Sequence, residues 1–372
     1  MTRRELTFLG IAILLSAPAV YSLWRPAAPN QSTLTLTSAS YKLDKLYRSM
    51  EGPSSIQSDI PITGPAPRTK LEAPGSKPPA STIWITGLDT QIVDATQQKP
   101  VSQEFFCHAN LTFSEHGATP DQYNARLGGK THLDWRLFTL APGRASIELP
   151  AGFGVPVPSD AALDYFTMSL NLNARPELVN IRMRTRLHTI AADEPGAPTK
   201  ALFRRAVYVL QRESDAKGMG PKCMMKSTDH VGAGCGEWTT VKAADGSTML
   251  RPADGMTNQQ TVTPGHHVYQ SDITPQLNLP CDTTIHYATI HVHPFARGME
   301  LRDLTTGETM LQLNSRDRSE GIGVAQVDEF KSIDGVPISR GHRYQLSVDY
   351  DNTSGANTDA MAILYLYLRD KI

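Results

Sequence analysis

Thr284-Ile-His-Tyr-Ala-Thr-Ile-His-Val-His-Pro294 reads as a β-strand, rich in β-branched and aromatic residues and closed by a proline. Side chains alternate between the two faces of a strand, so His291 and His293 point the same way and could share one metal ion. His286 has the opposite parity and faces elsewhere unless a bulge intervenes. Spacing alone leaves a plainer alternative open, a polar sheet face carrying two unconnected imidazoles.

Working outward, similar runs recur between turn signals. Strands are expected at Glu104–Phe113, Ala145–Leu149, Tyr165–Leu172, Asn180–Ile190, Ala206–Gln211, Gln260–Thr263, Gln345–Tyr350 and Met361–Leu368. No window of about 11–18 residues carries a helical stripe. With 27 glycines and 26 prolines the chain favours turns over helical bundles. At 372 residues it is long enough for about two domains. The expected fold is all-β, two antiparallel β-sandwiches in tandem, at 81–197 and 198–372, divided in the Pro/Gly loop Ala191–Lys200. Residues 26–80 carry Pro53, Pro61, Pro65, Pro67, Pro74, Pro78 and Pro79 among Ser and Thr. They read as a linker, with one short helix near Tyr41–Met50.

Arg3 and Arg4 precede an uncharged stretch from Leu6 to Leu23. A basic start before a short apolar run is the pattern of a secretory signal, so residues 1–25 are expected to direct export or to remain as a membrane anchor. The folded part then lies outside the cytosol and touches a membrane only through that segment. The 36 basic and 37 acidic side chains leave a net charge of −1, which argues against a nucleic-acid partner. Export makes disulfides plausible for Cys107, Cys223, Cys235 and Cys281, and Cys223 and Cys235 are close enough in sequence to close a loop.

The common hydrolase, P-loop and dinucleotide motifs are absent. Gly232-Ala-Gly-Cys-Gly236 has no strand–helix context and reads as a turn. Met361, in Asp359-Ala-Met361-Ala-Ile-Leu, is either core filler or a third ligand beside His291 and His293. A thioether ligand would select copper(I) over zinc or magnesium. Met224, Met225 and His230 are candidates for a second copper(I) surface site.

The stretches Thr263-Pro-Gly-His-His-Val-Tyr-Gln-Ser-Asp-Ile273, His291-Val-His293 and Asp359-Ala-Met361, with Leu364-Tyr365-Leu-Tyr367, resemble the second domain of the copper type II, ascorbate-dependent monooxygenases. The resemblance implies two jelly-roll-like domains, copper at His291, His293 and Met361, and dioxygen and ascorbate (or another one-electron donor) as cosubstrates. The substrate would be a small molecule or peptide. Tyr365 matches a substrate-contacting tyrosine of the family, and a core role is equally open. More loosely, Glu104-Phe-Phe-Cys107-His108 and Tyr165-Phe-Thr-Met-Ser-Leu-Asn171 resemble the regions that hold the family's electron-transfer copper. Here Cys107 and Asn171 stand where that family has histidines. Cys107, His108 and Asn171 are therefore either a degenerate second copper site or a disulfide cysteine beside two polar residues. His188 is a possible substitute ligand without a family counterpart. The peptide-amidating branch has an arginine where this chain has Thr289, which disfavours a peptidylglycine substrate. Three functions are expected to compete: copper-dependent hydroxylation, copper storage, delivery or sensing without catalysis, and a structural envelope module.

Overall fold

The His-rich stretch is a strand, Thr283–Val292, and its neighbours on both sides are strands too. In the computed structural model the described residues are 31–38, 41–43, 56–63, 81–96, 99–114, 117–129, 131–173, 179–212, 240–242, 248–250, 256–258 and 260–370. Among them the only α-helices are Pro120–Arg126 and Thr274–Leu277, and none is long and apolar enough to cross a membrane. The fold is all-β.

One ten-stranded sheet runs through both halves. Its path is Ser32–Thr37, Val179–Ala191, Thr82–Asp94, Phe153–Pro158, Lys200–Tyr208, Ala362–Arg369, Thr283–Val292 and Glu329–Ile338, with Tyr41–Leu43 and Ser146–Glu148 at its side. The pairings are antiparallel except one: Lys200 and Ala201 lie parallel to Phe153 and Gly154 and join the halves. In the first half a four-stranded sheet, Ile56–Thr63, Ala162–Ser169, Phe106–Phe113 and Arg136–Leu140, covers the long one. Ile83, Ile85, Leu88 and Ile92 meet Leu111, Phe113, Phe138 and Leu140 between them. In the second half the covering sheet has five strands, Gly265–Asp272, Tyr344–Asn352, Ala296–Asp303, Thr309–Asp317 and Val324–Val327. Ala288, Ile290, Val292, Leu364 and Leu366 pack there on Leu301, Leu311, Leu346 and Val348. This burial of alternate strand residues from facing sheets is the arrangement that makes a sandwich.

Two expectations are corrected. The segment read as linker contributes strands: Ser32–Thr37 pairs with Arg184–Thr189, and Ile56–Thr63 pairs with Ala162–Ser169. Thr-Leu-Thr-Leu-Thr is an alternating run whose Leu36 is buried, and that pattern outweighs the prolines around it. Pro61 is accommodated because its strand is the outer one of the four-stranded sheet. The expected helix over Tyr41–Met50 is corrected at its start, where Tyr41–Leu43 is a strand paired with Val179–Ile181; the rest of it lies outside the described residues. Residues 1–30, including the expected export signal, lie outside the described residues.

A third, smaller apolar cluster decides where the site lies. Ala206, Tyr208, Met361, Ile363 and Tyr365 occupy the face of the second half's strands turned away from its own core. That face meets the first half along a seam. Tyr367 stacks against Phe138 at 5.3 Å and donates to the Leu137 carbonyl at 3.2 Å. Arg204 Nη2 donates to Thr139 Oγ1 at 3.1 Å, and its guanidinium lies 4.6 Å from the Tyr365 ring centre. At the turn before Arg144, Gly143 (φ +78°) accepts from the Val327 amide, and a side chain there would strike backbone atoms of Gln326 and Val327 at 2.9 Å.

Candidate metal centre

Strand register places the histidines. His291 pairs with Ile363 and Thr289 with Tyr365, while Ile290 and Val292 turn into the second core with Leu364 and Ala362. His291 is therefore on the seam face. One step beyond the last pair, Val292 with Ala362, the same register sets position 293 across from position 361. The rings of His291 and His293 stand edge to face with centres 5.4 Å apart, as their shared parity predicts. His293 Nδ1 lies 3.3 Å from the Asp359 carbonyl and 3.5 Å from its carboxylate, so the residue two before Met361 orients this ring. Met361 is fully buried, and its carbonyl accepts from Tyr350 Oη at 3.0 Å.

The first half contributes Cys107 and His108. Neighbours in a regular strand point to opposite faces, but the ladder to Ala162–Ser169 shifts register between Phe106 and His108. Phe106 and Ala109 thus both reach the first core, and Cys107 and His108 come together, Sγ 3.1 Å from Nδ1. The disulfide reading of Cys107 is overturned: it carries a thiol, and so does Cys281. The His108 ring is edge-on to His291 at 6.3 Å. The residues read as belonging to two separate copper sites lie side by side.

Burial sets their chemistry. Removal from water lowers the pKa of His108 to about 3, with Arg136 and His293 adding repulsion. Burial also holds His291 well below the usual imidazole range, helped by His293 and His108. Both rings are neutral at pH 7 and keep a lone pair. Among the described residues His291 Nδ1 is buried and has no hydrogen-bond partner, a state it shares with other buried polar atoms such as His188 Nδ1 and Ser169 Oγ, although most buried polar atoms in proteins are paired.

The residues fit a soft monovalent ion. Imidazoles and a thioether suit copper(I), and the largest charge interaction on His108 is with a cation, Arg136. A divalent ion would bring a second uncompensated charge into this buried place. At metal–nitrogen distances of about 2.0 Å, two imidazoles on a tetrahedral ion have ring centres about 5 Å apart; His291 and His293 match that. Among the described residues no three His, Cys, Asp or Glu side chains already converge on one point. That is consistent with a third donor that is a methionine and a His108 that stands farther off.

His286, His188, His266 and His267 are engaged elsewhere. His286 is at a bulge between Ile285 and Tyr287, stacks on Phe153 at 4.2 Å, and is engaged by Thr284 and Ser332. His188 contacts Asp89 at 2.6 Å. His266 pairs with Asp349, and His267 contacts Thr263 and Pro264. Asn171 is buried two residues past the strand that pairs with Cys107's, where the Leu170 amide donates to the Phe105 carbonyl. Tyr365 is buried on the seam under Arg204. Cys223, Cys235, Met224, Met225 and His230 lie outside the described residues. Sequence reasoning missed the approach of His108 to His291 and the presence of Arg136 beside them, since neither has a local signal.

No family model matches the chain, and no curated protein matches it. Among solved structures, N-glycanase F overlaps 91% of this chain and 95% of its own at 10% identity, with a TM-score of 0.34. The empty top-component particle of cowpea mosaic virus overlaps 98% and 96% at 9% identity, with a TM-score of 0.34. A peptide-N(4)-(N-acetyl-β-D-glucosaminyl) asparagine amidase overlaps 92% and 97% at 11% identity, with a TM-score of 0.32. Likenesses this distant carry no argument about what the chain does, and none of them bears on the resemblance to copper monooxygenases.

Proposed function

We propose that this protein is an exported copper(I)-binding protein whose site comprises His291, His293 and Met361. The observation that carries the reading is the placement of two histidines, His291 and His293, with a fully buried thioether on one sheet face, where His291 Nδ1 is buried and has no partner among the described residues. A ligand atom kept dry and unprotonated is what copper(I) needs, and an apolar surround disfavours the divalent state. When bound, copper would supply one-electron chemistry. The chain's own part is to hold the His291 imidazole neutral, fix the His293 ring through Asp359, and exclude water with Ile363, Tyr365 and Tyr208.

Holding and delivering copper suits this site better than hydroxylating a substrate. His291 and Met361 are buried in the seam, and only His293, with about a fifth of its side chain exposed (21%), opens to solvent. Anaerobic titration against a chromogenic copper(I) chelator tests the reading. One copper per chain is expected, held at least about tenfold more weakly by Met361→Leu, which keeps the volume and removes the sulfur. A wild type that binds no more tightly than Met361→Leu and His291→Leu would overturn it.

A further inference from the structure

The approach of His108 to His291 has no role in a site built from the second half alone. It joins residues 183 positions apart in the chain, brought from opposite sandwiches, at a ring distance of 6.3 Å. His108 is itself buried, and its Nδ1 is engaged by the Cys107 thiol, which leaves Nε2 as the atom available to a metal.

We propose that His108 is the fourth ligand of the centre, so that copper(I) is held by three imidazoles and one thioether and fastens the two sandwiches together. The inference rests on the copper reading of His291, His293 and Met361. Its geometry asks for little. Bringing the His108 and His291 ring centres from 6.3 Å to the about 5 Å of a shared tetrahedral ion is a shift of about 1 Å across the seam. The β-bulge at Phe106–His108 is the device that makes it available, because without it His108 would follow Phe106 into the first core. A fourth protein ligand also removes the open position that oxygen chemistry requires, which makes the centre a closed one. The resemblance to the monooxygenases would then be one of ligands without the reaction.

X-ray absorption at the copper edge, on the full chain loaded with one copper(I), decides the matter. Three nitrogen scatterers and one sulfur are expected in the wild type and two nitrogens in His108→Ala, with copper(I) affinity at least about tenfold weaker in the variant. A second measurement needs no variant: copper(I) should slow amide exchange in 106–113 of the first half as well as in 283–292 of the second. Two nitrogens in the wild type, or an exchange effect confined to 283–292, would overturn the role of His108 while leaving the copper reading intact. A wild type that takes up no copper(I) would remove both.

Discussion

Replacing His291 with leucine should make the metal-free protein more stable, not less. The imidazole Nδ1 is buried and lacks a partner among the described residues, and leaving a polar atom in that state costs about 1–3 kcal/mol. Leucine fills a similar space beside Ile363, Tyr365 and Met361, and it has no polar atom to desolvate. The ring contacts to His108 and His293 are lost in exchange, so a net gain of about 1 kcal/mol is expected. For a chain of this size that is a rise in Tm of about 2 °C. The assay is calorimetry or urea denaturation at pH 7 with a copper chelator present, followed by the same measurement with one equivalent of copper(I). Copper(I) should raise the Tm of the wild type and leave the variant unmoved, since only an ion that binds the folded state stabilises it. An apo variant less stable than the wild type by more than about 1 kcal/mol would refute the reasoning, because it would mean that the imidazole is held by contacts it needs for folding. The expectation is the usual mark of a functional residue, a local loss of stability kept for what it binds.

Two further outcomes follow from other parts of the fold. Gly143→Ala should destabilise the protein by about 1–3 kcal/mol in urea denaturation, because φ is +78° and the new Cβ would meet the backbone of Gln326 and Val327 at 2.9 Å; unchanged stability would show that the seam yields there. At Asp303, burial alone would raise the carboxyl pKa, but hydrogen bonds from His342 and the amides of Thr305 and Thr306 outweigh it and hold the pKa below its ordinary 3.8. A depressed folded-state pKa adds stability above the unfolded value and loses it as pH falls through the folded one. Asp303→Asn should therefore cost about 1–2 kcal/mol near pH 6, a difference that shrinks below about pH 4; a pH-independent difference would exclude that origin.

The shared face of His291 and His293 was legible because it rests on strand parity, a property of a few consecutive residues, whereas Met361 is named beside them through the resemblance to the copper monooxygenases and by its own sequence reads as core filler. Cys107 and His108 were not legible as a pair on one face, since parity sends neighbours apart and only the bulge reverses this. Nor was the meeting of His108 with His291, which depends on how one sandwich rests against the other. Ser32–Thr37 carries its alternation openly, yet the prolines that follow in the segment lowered its weight. The continuity of the long sheet rests on two parallel residues at each side, too short a contact to leave any pattern in composition or periodicity.

The position of Ala362–Arg369 in the middle of that sheet has a consequence for the order of synthesis. This strand lies between Lys200–Tyr208 and Thr283–Val292, which do not pair with each other. As the chain emerges, the second sandwich has a gap at its centre until residue 369 has been made, and the seam face with Met361 cannot form before then. The first sandwich also waits, since Ser32–Thr37 must hold out for Arg184–Thr189. Long-range pairings of this kind form slowly. A polypeptide whose sheets stay open until nearly all of it has been made keeps unpaired strand edges exposed throughout its synthesis.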